Sequence, residues 1–224
     1  MSRYRLDKDE HGYFLSDTFS RQRSLRANFD EPSFLRRVGR AGKKNELVAK
    51  SVKVKPGLKV LDCTAGLGRD SFILAHLGCD VTMCERSSVL HCLLEDALTR
   101  AKHDERLAET TARMSLIKDD ALSLLERSGG EFNVIYLDPM FPERTGSAAV
   151  KGGMQYLQRF IGVDRDSEDL LRAALSTSDT RVVLKRPAHG GLIKLNVAPQ
   201  HVFKNRNSRY EVYLTAASAS AAST

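Results

Sequence analysis

Two short stretches carry residue types that can do chemistry together. The first is Val60-Leu61-Asp62-Cys63-Thr64-Ala65-Gly66-Leu67-Gly68-Arg69-Asp70, an apolar run that passes through a small-residue turn into a helical pattern. Gly66 and Gly68 let the backbone approach a ligand where a Cβ would collide, and the helix start beyond them offers free N–H groups. Nineteen residues after Gly66 stands Glu85, where the tip of a second strand would place an acid able to accept two hydrogen bonds from a ribose diol. Loop and acid together predict a site for a nucleotide-derived cofactor.

The neighbouring acids narrow the choice. A dinucleotide fingerprint would want Gly or Ala at Ser71, and Asp62 and Asp70 bracket the loop where a pyrophosphate would be repelled. S-adenosylmethionine (SAM), with a sulfonium, an ammonium and no phosphate, suits that charge better. Asp119 and Asp120, after a third strand, fall where an adenine amino group can be contacted, and either serves as well as a helix cap.

The second stretch is Tyr136-Leu137-Asp138-Pro139-Met140-Phe141-Pro142. In a doubly wound sheet the strand it ends lies beside the strand that leads into the Gly66 loop, so both open onto one crevice. There the Asp138 carboxylate and the Pro139 carbonyl can accept hydrogen bonds from an exocyclic amine while Phe141 stacks on its ring. Such an amine is a weak nucleophile, and holding it in line with a sulfonium methyl supplies reactivity by orientation and electrostatics. The proline fixes the turn that presents these groups.

The elements that must position these residues are legible from Leu58 onward, where short β-rich runs alternate with helical patterns. Strands are expected at Val60-Leu61, Asp80–Cys84, Met114–Ile117, Phe132–Leu137 and Arg181–Leu184. Helices are expected through Phe72–Leu77, from a cap at Ser87 or Ser88 to Ala101, over Ala121–Leu125, and from a cap at Ser167 to Leu175. His201–Phe203 and Tyr210–Leu214 flank Asn205–Ser208 with no room for a crossover helix, so the sheet should end in an antiparallel hairpin. The expectation is an α/β fold: a Rossmann-like, doubly wound, mostly parallel seven-stranded sheet. Residues 1–45 read as a basic N-terminal extension with a small strand at Tyr13-Phe14-Leu15 and a helix at Phe34–Arg37. A second helix is expected at Glu46–Val52, 46–214 read as the catalytic domain, and 215–224 as a flexible tail.

At 224 residues the chain suits one main core. It has no apolar run long enough for a membrane span, and its four cysteines form no CxxC pair with histidines at zinc spacing. Reduced packing thiols, no metal and a cytoplasmic location are the expectation, with Cys63 notable for its place in the loop. Residues 1–50 hold twelve Lys and Arg against seven acids, which accounts for five of the seven net positive charges. Within them Arg36, Arg37, Arg40, Lys43 and Lys44 run without an intervening acid and form the best candidate patch for RNA. Lys185 and Arg186, at the tip of the fifth strand near the target crevice, can hold RNA phosphate, although Lys185 could equally pair with a carboxylate of the site.

Asp62–Asp70, Glu85-Arg86, Tyr136–Pro142 and Lys185-Arg186-Pro187 resemble, in order and spacing, the bacterial 16S rRNA (guanine(1516)-N2)-methyltransferase family. The resemblance covers roughly Arg40 to Leu214. It implies N2 methylation of a guanine in 16S RNA, alone or in the small subunit. It also implies SAM contacts at Arg69, Asp70, Glu85, Arg86, Asp120-Ala121 and Asp138. The family pattern carries small hydroxylated residues where this chain has Asp120-Ala121, and its N-terminal extension is longer and less basic. Three other readings remain open: a SAM enzyme acting on adenine N6 or another amine, an NAD-dependent oxidoreductase, and a non-catalytic RNA-binding module. The oligomeric state is not legible.

Overall fold

Tyr4–Asp9 (β1) and Gly12–Asp17 (β2) pair as an antiparallel hairpin, with Leu6 opposite Leu15. Only β2 is foreshadowed by the sequence; β1 is charged at Arg5, Asp7, Lys8 and Asp9 and none of its residues is fully buried. The computed structural model describes residues 3–19, 24–128, 130–140, 160, 162, 166–177, 181–188 and 197–215. Phe141 and residues 216–224 lie outside them. After the hairpin come α1 (Pro32–Val38) and α2 (Leu47–Val52), matching the two short helices expected there. Phe29 is buried and stacks on Phe72 at 4.8 Å, while Arg100 holds the carbonyl of Ala27 at 2.7 Å. The N-terminal segment thus shares the core of the following layers. Burying one Phe contributes about 1.5–3 kcal/mol.

The main sheet begins with β3 (Lys59–Asp62), β4 (Asp80–Cys84), β5 (Met114–Ile117), β6 (Val134–Leu137) and β7 (Arg181–Pro187), all parallel. It ends with β8 (His201–Lys204) and β9 (Ser208–Leu214), the expected antiparallel hairpin. The order across the sheet is β5-β4-β3-β6-β7-β9-β8. Because β3 has β4 on one side and β6 on the other, the winding reverses there and a crevice opens at the carboxyl ends of the two strands.

Helices cover both faces, and all four residues of β6 are buried, as a central parallel strand requires. Val134 and Tyr136 face α1, α2, α3 (Arg69–His76) and α4 (Ser88–Lys102). Ile135 and Leu137 face α6 (Ala121–Ser128) and α7 (Ser167–Ser176), while the short α5 (Ala108–Thr111) precedes β5. Ser87 caps α4 as expected, its side chain accepting the Leu90 N–H at 3.4 Å. Ser167 does not cap α7. Asp166 occupies the cap position, and its carboxylate pairs with Arg86 across the crevice instead of bonding the helix N–H groups.

A further departure concerns β7, which continues three residues past Leu184. Pairing with β9 extends to Pro187 opposite Ser208, so Lys185 and Arg186 lie within the strand rather than at its tip. Among the described residues no helix is long and apolar enough to cross a membrane.

Candidate active site

An open cleft of about 680 Å³ lies at the carboxyl ends of β3, β4 and β6. Gly66, Glu85, Arg86, Asp119, Asp120, Ala121 and Asp138 line it. Glu85 is the best-held of these. One carboxylate oxygen accepts the Gly66 N–H at 3.0 Å and the other accepts the Ser87 N–H at 2.8 Å. Gly66 sits at φ 55°, a left-handed conformation that favours glycine, and this turns its N–H onto Glu85. Two backbone donors fix the carboxylate, and its remaining lone pairs can accept from a diol.

The cleft is acidic. Among the described residues five acids line it, Glu85, Asp119, Asp120, Asp138 and Asp166, against three paired cations: Arg86 with Asp166 at 2.5 Å, Lys185 with Asp138 and Arg127 with Asp119. A ligand carrying a sulfonium and an ammonium fits that surplus, whereas a pyrophosphate would meet like charge. Asp120 also caps α6, its Oδ1 accepting the Leu122 N–H at 3.0 Å, and Asp119 accepts the Asp120 N–H at 2.8 Å while pairing with Arg127.

Beside the cleft runs a partly buried chain of charges. Strand alternation turns Tyr136 away from Leu137 and toward α3, where its hydroxyl donates to Asp70 Oδ2 at 2.8 Å. Lys185 Nζ donates to the same oxygen at 2.8 Å and to Asp138 Oδ2 at 2.7 Å. Arg37 reaches Asp70 Oδ1 at 3.1 Å and holds Glu46 at 2.9 and 3.0 Å. The Asp138 N–H donates to Thr64 Oγ1 at 2.6 Å, tying the end of β6 directly to the Gly66 loop.

Burial alone would raise the Asp70 carboxyl, but Lys185 and Arg37 outweigh it and hold the group well below the usual carboxylate range. Burial likewise opposes the charge on Lys185, yet Asp138 and Asp70 keep its ammonium protonated far above the ordinary lysine range. Asp70 and Lys185 are therefore both ionised at neutral pH. Asp62, beneath the loop, differs: burial pushes its carboxyl up to about 7 against hydrogen bonds from Ser71 and Thr64.

Residues 3–215 match the family described as "Putative SAM-dependent methyltransferase". Ribosomal RNA small subunit methyltransferase J of Ectopseudomonas mendocina is 43% identical over 192 residues, spanning 84% of this chain and 74% of its own. The protein of the same name from Marinobacter nauticus is 41% identical over 213 residues, 93% of this chain and 76% of its own. This chain belongs to the ribosomal RNA small subunit methyltransferase J family. A SAM-dependent methyltransferase from Neisseria gonorrhoeae, 31% identical, superposes with a TM-score of 0.73 over 94% of this chain and 82% of that one. The family and the fold make it a SAM-dependent methyltransferase, as its motifs imply.

For this family member the structure sorts the residues singled out by sequence. Gly66, Glu85, Arg86, Asp119, Asp120, Ala121, Asp138 and Pro139 meet at the cleft. Asp62, Gly68, Arg69 and Asp70 stand around the loop without lining it. Gly68 is required by packing, since a Cβ there would come within 2.7 Å of Leu94. Arg69 pairs with Glu31 and lies over the Phe34 ring. Arg36, Arg40, Lys43 and Lys44 are exposed as a patch should be, but Arg37 is turned inward to Glu46 and Asp70. Arg186 is buried against Glu211.

Sequence reasoning missed Thr64, Tyr136 and Asp166. Alternation along β6 would have directed Tyr136 to α3, whereas the reach of Asp166 to Arg86 spans 80 residues and leaves no local signal. Cys63 is buried beside the cleft, and burial raises its thiol well above the ordinary range, which suits packing rather than nucleophilic chemistry.

Proposed function

We propose that this methyltransferase modifies the exocyclic N2 of a guanine in 16S ribosomal RNA of the small subunit. The observation that carries the reading is Asp138, fixed by Thr64 and Lys185 where the SAM loop and the end of β6 converge. The names of the relatives support RNA of the small subunit as the substrate, and the motif resemblance supports guanine N2.

When bound, SAM supplies an electrophilic methyl carbon on a sulfonium. Glu85 would hold the ribose diol, Asp119, Asp120 and Ala121 the adenine, and the acidic cleft the cationic end. Arg86 would close the rim. Asp138 and the Pro139 carbonyl accept hydrogen bonds from the target amine, and Phe141, outside the described residues, is assigned to stacking on the base.

Lys185 holds Oδ2 of Asp138 and so orients the carboxylate at the cleft where the amine would sit. The ammonium also favours the ionised carboxylate, the form that accepts hydrogen bonds and can take the proton the amine releases. After that transfer Lys185 still has Asp70 as its counter-charge, so the buried ammonium is never left alone.

Asp138→Ala tests the assignment. Methyl transfer to RNA should be lost, with SAM and RNA affinities changed by no more than a few-fold. Parallel losses of transfer and RNA binding would recast Asp138 as a docking residue.

A further inference from the structure

The cations near the target crevice are matched by acids. Arg37, Arg69, Arg86 and Lys185 each pair with a carboxylate. A different situation holds two strands away. From His201 to Arg209 the chain carries Lys204, Arg206 and Arg209 and no acid. Lys204 and Arg206 are exposed, and neither makes an ion pair among the described residues.

The register puts these residues at the working end of the sheet. Leu137 of β6 is level with Leu184 of β7, so Asp138 and Lys185 lie one step beyond a shared rung. The next rung joins Arg186, Arg209 and Lys204 across β7, β9 and β8. The turn beyond it is tied down by the Ala188 N–H, which donates to the Asn207 carbonyl at 3.0 Å. At about 5 Å per strand spacing, Lys204 lies roughly 14 Å across the sheet from β6. That is within reach of nucleotides flanking a base held at Asp138.

Charge and rigidity both suit a polyanion. Arg186 and Arg209 share the Glu211 carboxylate at 3.4 and 2.6 Å, so with Lys204 and Arg206 the described residues of this edge carry four cations and one acid. Asn205 Oδ1 accepts the N–H groups of Asn207 and Ser208 at 2.9 and 2.8 Å, which fixes the turn that presents Arg206. The backbone of the turn is thus already ordered, and the two side chains are what remains to be ordered on binding.

We propose that the β8–β9 turn is a docking edge for the phosphate backbone of the substrate RNA, with Lys204 and Arg206 as phosphate contacts. The inference rests on the functional reading that the substrate is RNA. Another use of a lysine here is to guard an exposed sheet edge against self-association, which requires no RNA.

The test compares wild type, Lys204→Gln/Arg206→Gln and Lys204→Glu/Arg206→Glu with a control, Lys55→Gln/Lys59→Gln, at the opposite end of the sheet. Binding to unmodified 16S RNA is measured across a salt series, with SAM affinity as the check on folding. The Gln pair keeps the test valid if charge reversal unfolds the edge. Each lost contact to a single strand lowers the slope of log K against log salt by about 0.7, so the Gln pair should lose about 1.4. That slope corresponds to about twenty-five-fold weaker binding at about 0.1 M salt. A slope and affinity equal to those of the control would overturn the docking edge alone. A wild-type protein that methylates neither this RNA nor small subunits lacking the modification would overturn the functional reading and the docking edge with it.

Discussion

Replacing Glu85 by Ala should weaken SAM binding by about ten- to 150-fold while leaving the fold intact. The magnitude follows from what the carboxylate does. It is nearly buried, and two backbone donors, from Gly66 and Ser87, already orient it at 3.0 and 2.8 Å. A hydrogen bond to a charged group is worth about 1.5–3 kcal/mol, and about 1.4 kcal/mol is tenfold in affinity. Glu85→Gln sharpens the argument. Its amide offers one acceptor and one donor, so its NH2 must confront either the Gly66 or the Ser87 N–H. Gln should therefore resemble Ala in affinity despite its shape. Isothermal titration with SAM and with its demethylated thioether product checks both variants, since the ribose is common to the two ligands. Affinity within twofold of wild type for Glu85→Ala, or a fully active Glu85→Gln, would refute the assignment of Glu85 to the ribose.

Lys185→Met should lower the turnover of bound RNA while leaving the KM for SAM nearly unchanged. Asp138 is faced by Lys185, Asp70, Asp62, Tyr136 and Tyr210, and Lys185 is the cation bonded to it, so its loss favours the protonated acid. The acidic limb of the rate profile should move to higher pH; an unmoved limb would reduce Lys185 to a packing role. Asp62→Asn addresses stability. Because the folded carboxyl is raised to about 7 from an unfolded value of about 3.9, wild type is favoured below that lower value and loses stability as pH rises toward 7. The variant's stability relative to wild type should therefore climb across this window, by up to about 4 kcal/mol. Denaturant unfolding at a series of pH values reads this directly, and a difference that does not vary with pH would contradict it.

The parts of this site legible in the sequence are those governed by local rules. A glycine turn between strand and helix, an acid at the next strand tip and Asp-Pro at the switch point all depend on a few neighbouring residues. The hairpin at β8 and β9 was likewise forced by a loop too short for a crossover. What the sequence could not display are pairings across the sheet. Lys185 reaches Asp70 over 115 residues and Asp138 over 47; the sequence leaves Lys185 open between RNA phosphate and a carboxylate of the site, and nothing local names either acid. For the same reason Arg37 reads as one cation of a surface run, although its guanidinium is turned onto Asp70 and Glu46 and is only partly exposed. The Lys204–Arg206 edge is not legible from charge counted along the chain, because its meaning comes from the rung that Lys204 shares with Arg209 and Arg186.

The central claim is a methyl transfer to one kind of nitrogen on one kind of RNA. It is tested most directly by incubating the protein with labelled SAM and small ribosomal subunits that lack the modification, then identifying the labelled nucleoside by mass spectrometry. The account predicts N2-methylguanosine in 16S RNA, absent when Asp138→Ala replaces the wild type. Label on adenine, or SAM bound with no label on RNA, would contradict it.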